Sequence, residues 1–253
     1  MSRSRNANRK RHKLEDIVPA DQVEVLMKQL RKDLPAETGQ VRYNGLRVDE
    51  PVSIETIRTT PICWGIPFDE IVFSKWVRSL WTFNRILPWD DTNFAGSTYL
   101  PEARNVIHSG FVTELETPWL FMLDSDVSPP PRIVERLLEH TVHNSDIKMV
   151  GAPYRKKAEP YGPVVYRDLG DDEDGIIVAE QYEGPGDGLE TVDLAGAGCW
   201  LMSREVAEAI GEKPYSMAQG GEDLLLCRKV REAGFDLFID WSLMCAHVGV
   251  GVA

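Results

Sequence analysis

Two rhythms of apolar residues alternate along this chain. Trp119 to Leu123 is an unbroken apolar run, WLFML, which ends in the carboxylates of DSD. Short continuous runs of this kind suit strands covered on both faces. Ile62 to Ile66 and Ile147 to Tyr154 read the same way. Helical spacing covers about Glu70 to Phe83, about Pro101 to Thr113, and a stretch after Ser128 through Arg132, Ile133, Val134, Leu137 and Leu138. Ser128 and Pro129 predict the N-cap and first turn of that third helix. VDLAGAGCWLMS (Val192 to Ser203) leads into a helix near Arg204, and a further helix in GGEDLLLCRKVREAGF opens at Gly220-Gly221 and stops at Gly234. DLFIDWSLMCAHVG predicts a last strand ending at His247. Strands alternating with helices predict an α/β fold built on a mainly parallel sheet with helices on both faces.

The first 57 residues follow a different pattern. Residues 1–13, MSRSRNANRKRHK, form a basic arm. Residues 14–57 read as an extension: Val23, Leu26, Met27 and Leu30 stand at helical spacing before Pro35, and Asn44-Gly45 joins two short alternating runs as in a hairpin. The main domain is expected over 58–253. Within it, Pro160 to Glu190 departs from the alternation, with short strand-like runs separated by DLGDDEDG and EGPGDG. This predicts an acidic hairpin whose charges form either a solvated face or a second metal site.

A chain of 253 residues with 43% hydrophobic and 27% charged residues has the composition of a soluble globular protein. It has no run long enough to span a membrane and no apolar segment behind Met1, so a soluble cytoplasmic protein is expected. Cys63, Cys199, Cys227 and Cys245 are scattered without a CxxC pair, which argues against a zinc knuckle and a disulfide framework. The net charge of −12 argues against broad duplex binding, although the basic arm is either a nucleic-acid contact or merely solvated.

Asp124 and Asp126 stand where a buried strand surfaces. In an extended chain, residues two apart project to one side, so both carboxylates would face one point and repel. A hard divalent ion between them, magnesium or manganese, would relieve that repulsion and leave room for a substrate phosphate. The alternative is a plain strand-end turn. Ligands of parallel α/β sheets bind at the carboxyl ends of the strands, where these two residues lie.

In order along the chain stand IPFDE, WDD at 89 to 91, ARN at 103 to 105, FMLDSD, AGAGCWLMSRE at 195 to 205, GED at 221 to 223 and His247. Over roughly Ile62 to Gly249 this set resembles the nucleotide-sugar-dependent glycosyltransferases of the GT-A fold, particularly the family-2-like group. The resemblance implies Mn2+ or Mg2+, a UDP- or GDP-sugar donor, and Asp126 as a ligand of the ion that bridges the donor diphosphate. Asp124 would touch the donor ribose or the ion's waters, with Ser125 beside it, and His247 would complete the metal shell. Neutral imidazole can join carboxylates around manganese. By the same resemblance Asp223, with Glu222 second, would deprotonate the acceptor hydroxyl, and direct attack would invert the anomeric centre. Both stand in a helix's first turn, where ordinary acids are also favoured. Pro67, Asp69, Glu70 and Asp91 match segments that hold base and ribose, and Arg104 would approach the phosphates. The first loop is shorter than the family's P-x-Y-N-E, and DDTNFAG replaces its DDGST. Ala195 to Gly198 either brings backbone close to a sugar or packs tightly in the sheet.

Two other classes compete. A nucleotidyltransferase of related fold also uses paired aspartates, but usually has a basic Gly-rich loop that IPFDE lacks. A catalytically silent sugar-nucleotide-binding protein would leave the carboxylates without roles. The acceptor is open among a protein, a glycan and a modified nucleobase.

Overall fold

The computed structural model describes residues 54–68, 76–77, 80, 90–96, 99–217 and 220–248. The basic arm, the 14–53 part of the extension, most of the helix expected over 70–83, and both Asp69 and Glu70 lie outside the described residues. In chain order the first elements are helix α1 (Ile54–Thr59), strands β1 (Ile62–Phe68) and β2 (Asp91–Gly96), helix α2 (Leu100–Glu114) and strands β3 (Trp119–Leu123) and β4 (Val127–Ser128). Helix α3 (Ile133–His143) and strands β5 (Met149–Gly151), β6 (Val165–Asp171), β7 (Ile177–Gln181), β8 (Leu189–Val192), β9 (Leu194–Ala195) and β10 (Cys199–Ser203) follow. The chain then forms helices α4 (Arg204–Ala209) and α5 (Glu222–Glu232), strand β11 (Leu237–Asp240), a 3-10 turn (Trp241–Leu243) and strand β12 (Ala246–His247).

The central sheet has seven strands in the order β2-β1-β3-β10-β5-β11-β8. β1 pairs in parallel with β2 and β3, β10 runs antiparallel to both β3 and β5, β11 is parallel to β5, and β8 is antiparallel to β11. Five of the seven strands therefore point one way, with β10 and β8 reversed. Along β3, Leu120 and Met122 pack into one hydrophobic cluster while Phe121 and Leu123 pack into another. This is the physical content of the unbroken apolar run, because each face of the pleat has its own cover. Ile107 and Phe111 of α2 and Leu226 and Val230 of α5 cover the first face, and Ile133, Val134, Leu137 and Leu138 of α3 cover the second.

Three expected boundaries are corrected. Ser128 does not cap α3; it belongs to β4, which pairs with β12 as Ala246↔Ser128 and His247↔Val127. The helix starts instead at Ile133, after Arg132 in the left-handed region at φ 62°. The strand expected to reach His247 is broken by the 3-10 turn, where Trp241 N donates to Gly188 O at 2.8 Å and Ser242 N to Asp240 Oδ1 at 2.9 Å. The run expected from Ile147 to Tyr154 pairs in the main sheet only over Met149–Gly151. At Gly151 a Cβ would lie 2.7 Å from the Trp200 ring and 2.9 Å from the Cys199 carbonyl, so the neighbouring strand requires glycine there.

Candidate active site

β1 and β3 end side by side, and the chain beyond Leu123 turns at once. Val127 N donates to the Asp124 carbonyl at 3.1 Å, while Asp124 N donates to Gly198 O at 2.9 Å, tying the turn to the start of β10. Because Asp124-Ser125-Asp126 is a turn rather than extended chain, the two carboxylates meet different cations of the protein, Arg104 and Lys157. Asp124 faces α2, and Asp126 faces the β4–β12 ribbon.

Arg104 organises the α2 side. It lies on the buried stripe of that helix with Ala103, Ile107 and Phe111, and its side chain is 1% exposed. One terminal nitrogen donates to Asp124 Oδ2 at 2.7 Å; the other donates to Glu222 Oε1 at 3.0 Å and to Asp223 Oδ1 at 2.5 Å. The Tyr215 ring lies 5.7 Å from the guanidinium carbon. Asn105 holds that segment in place: its amide donates to Tyr215 O at 2.8 Å and its carbonyl accepts from Tyr215 N at 3.0 Å. Arg104, expected from the sequence near the donor phosphates, is engaged here by three carboxylates through its buried guanidinium. It joins the DSD turn to the Glu222-Asp223 pair across the sheet end.

The electrostatics follow from this crowding. Burial pushes the Asp124 carboxyl up to about 6, with Asp223 and Asp126 adding to it and Arg104 opposing. Glu222 is raised by burial and by Asp223, against Arg104. For Arg104, burial opposes its charge, but Asp124 and Asp223 outweigh that and hold it cationic. Asp124 Oδ1 is buried without a hydrogen-bond partner among the described residues. A native site rarely leaves such an acceptor unused.

On the ribbon side, Asp126 Oδ2 accepts from Lys157 Nζ at 2.6 Å, and Asp126 Oδ1 stands 3.6 Å from His247 Nε2. Burial works against the ionised Asp126, but His247 and Lys157 outweigh it and hold the carboxyl below its ordinary range. His247 Nδ1 donates to the Arg155 carbonyl at 2.8 Å, and this contact turns Nε2 toward Asp126. The ribbon places the imidazole there, and Val248 N closes it by donating to Asp126 O at 2.7 Å. The Tyr154 ring packs edge-on against the imidazole at 5.0 Å, and its hydroxyl accepts from Gly198 N at 3.2 Å. A Cβ on Gly196 would collide with that hydroxyl, and one on Gly198 would lie 2.9 Å from the ring. Of the two readings of Ala195 to Gly198, tight packing around Tyr154 is the one seen.

Of the residues expected from the sequence, Asp124, Ser125, Asp126, His247, Glu222, Asp223 and Arg104 therefore gather at the carboxyl end of β3. Pro67 is buried near the end of β1, paired with Ala95. Asp91 does not join them. It opens β2 opposite Cys63, four residues before Ala95 and so roughly 13 Å back along the strand. Because β2 is parallel to β1, that puts Asp91 at the amino end of the sheet. The acidic hairpin is also resolved: Arg228 of α5 binds both Asp168 oxygens at 2.9 and 2.6 Å as well as Asp171, and Arg231 adds a contact to Asp168 at 3.3 Å. These charges lock β6 onto the helix that carries Glu222 and Asp223. Sequence reasoning missed Lys157 and Tyr154. The triplet Arg155-Lys156-Lys157 in an acidic body was the available signal for the first; nothing local marked the second.

Among the described residues no group of three or more His, Cys, Asp or Glu side chains converges as a complete metal shell. The donors present still suit a hard ion in part. Two ligands each about 2.1 Å from a small divalent ion lie roughly 3 to 4 Å apart, the spacing of Asp126 Oδ1 and His247 Nε2. The unpaired Asp124 Oδ1 offers a further acceptor nearby.

No protein-family model matches the chain, and no curated protein matches it. Among solved structures it is similar to A197 from STIV, with a TM-score of 0.57 and 18% identity, over 75% of this chain and 86% of that one. It is also similar to GalNAc-T7, solved with UDP, GalNAc and Mn2+, with a TM-score of 0.53 and 10% identity, over 75% of this chain and 44% of that one. At these identities the likeness shows the fold, a GT-A-like α/β architecture with a mixed, mostly parallel sheet.

Proposed function

We propose that the protein is a divalent-metal-dependent glycosyltransferase, which moves a sugar from a nucleoside-diphosphate sugar to an acceptor hydroxyl with inversion. The observation that carries this reading is the joining, by one buried Arg104, of the strand-end Asp124 to the helix-start pair Glu222 and Asp223, with Asp124 Oδ1 unpaired among the described residues. The GT-A-like fold and the UDP and Mn2+ bound by GalNAc-T7 support the same class.

Asp126 and His247 would hold the ion with Asp124 beside them, and the ion would offset the negative charge gathering on the departing diphosphate. Asp223 would take the proton. Its Oδ1 is fixed by Arg104, and Oδ2 makes no hydrogen bond among the described residues. As the acceptor oxygen bonds to the anomeric carbon, the bond from that carbon to the diphosphate oxygen breaks, the electron pair leaves with the nucleoside diphosphate, and the hydroxyl proton passes to Oδ2. Arg104 acts as a positioning residue, fixing the distance between the donor end of the site and the base.

The test is incubation with UDP- and GDP-sugars and manganese, followed by chromatography of the products. Slow release of nucleoside diphosphate by the wild type, lost in Asp126→Ala, is the expected result. Release of pyrophosphate from a nucleoside triphosphate would instead indicate a nucleotidyltransferase. Tight donor binding without turnover, with every acceptor class tried, would indicate a binding protein.

A further inference from the structure

The ion pair between Lys157 and Asp126 has no place in that scheme, because it puts the chain's own cation on the carboxylate assigned to the metal. The Lys157 side chain is 44% exposed and that of Asp126 29%, so the ammonium can leave without unpacking the core. The base of its loop, by contrast, is well held. Lys156 N donates to Gly162 O at 3.0 Å, Arg155 donates to Tyr161 O at 3.0 Å, and Arg155 bridges to Pro163. The same Arg155 supplies the carbonyl that orients His247. The Lys157 side chain makes its one ion pair among the described residues with Asp126, and its exposure gives it rotamer freedom once that pair opens.

Charge shows what that freedom serves. Four carboxylates, Asp124, Asp126, Glu222 and Asp223, face two permanent cations, Arg104 and Lys157, an excess of two acidic groups. A divalent ion cancels that excess. The diphosphate of a donor then restores it, and Arg104 cannot answer because it is buried among carboxylates. Lys157 can.

We propose that Lys157 is an exchangeable counter-ion: it neutralises Asp126 in the empty site, and passes to the diphosphate of the donor when a divalent ion takes that carboxylate. The inference rests on the glycosyltransferase reading above and makes Lys157 a donor-binding residue. It requires one substitution to act with opposite signs on two ligands, which loss of structure cannot do.

The experiment is a pair of titrations on the full chain. In the first, Mn2+ is titrated without nucleotide and followed by its paramagnetic resonance; in the second, UDP is titrated at saturating Mn2+ by calorimetry. Removal of a half-exposed competitor in Lys157→Ala should tighten Mn2+ about two- to fivefold. Loss of a charge-assisted contact to phosphate should weaken UDP about tenfold or more. Lys157→Arg, which keeps the charge, should return both values toward wild type. If the wild type binds both ligands and Lys157→Ala weakens both or leaves both unchanged, the exchange is refuted while the glycosyltransferase reading stands. If the wild type binds neither Mn2+ nor UDP, that reading falls and the exchange with it.

Discussion

Replacing Arg104 by methionine tests the electrostatics of the site, because the side chain keeps its unbranched stem in the helix's buried stripe and loses the charged head that meets all three carboxylates. Arg104 is 1% exposed, and its three partners are 14%, 15% and 24% exposed. Removing one partner of a buried ion pair typically costs about 3 to 5 kcal/mol, because the remaining charges are left uncompensated. The loss should depend on pH, with a sign set by Asp124. Its carboxyl stands at about 6 in the folded protein against 3.8 as its ordinary value, so the folded state binds more protons than the unfolded across that window. Its contribution to stability is therefore greatest below 3.8 and falls as pH rises toward 6. Glu222, also raised, acts in the same direction. Arg104 opposes both shifts, so its removal lets the carboxyls rise further and extends the window upward. Each further unit adds about 1.4 kcal/mol to the loss at pH 8 relative to pH 5. Urea denaturation of wild type and Arg104→Met at pH 5 and pH 8 measures this directly. A penalty clearly larger at pH 8 is expected, with Arg104→Lys in between, since one ammonium cannot fork to three carboxylates. Equal penalties at the two pH values, or a total below about 1 kcal/mol, would refute the view that Arg104 holds these acids together by charge.

Asp223→Asn should retain Mn2+ and UDP affinity measured by calorimetry while transfer to an identified acceptor falls by about two to four orders of magnitude, the usual contribution of a positioned base. Loss of donor binding would make Asp223 a donor contact, and loss confined to Glu222→Gln would move the base one residue back. His247→Ala should weaken Mn2+ while the thermal transition stays near that of the wild type, because the ring packs at the edge of the fold against Tyr154; an unchanged manganese titration would return His247 to a packing role.

The chain's own pattern determined the elements. β3 runs from Trp119 to Leu123 as its apolar run predicts, α2 extends the expected helix by one residue at each end, and α5 opens after Gly221 and closes before Gly234. These signals are legible because they depend on neighbours a few residues away: pleat alternation, helical spacing, and glycines where φ is positive, as at Gly221 and Gly234. The DSD and GED carboxylates were legible for the same reason, as charges breaking an apolar rhythm or opening a helix. What each charge faces was not. Arg104 sits on the apolar stripe of α2 and meets Asp223 across 119 residues of sequence, and Lys157 meets Asp126 across 31. Asp91 carried a promising motif, yet β2 begins rather than ends there, and its parallel pairing with β1 sends it to the far end of the sheet. Strand order and direction decide which ends meet, and only the packed sheet sets them: a local pattern shows which face of a residue is buried, while its partner depends on contacts between segments far apart in the chain.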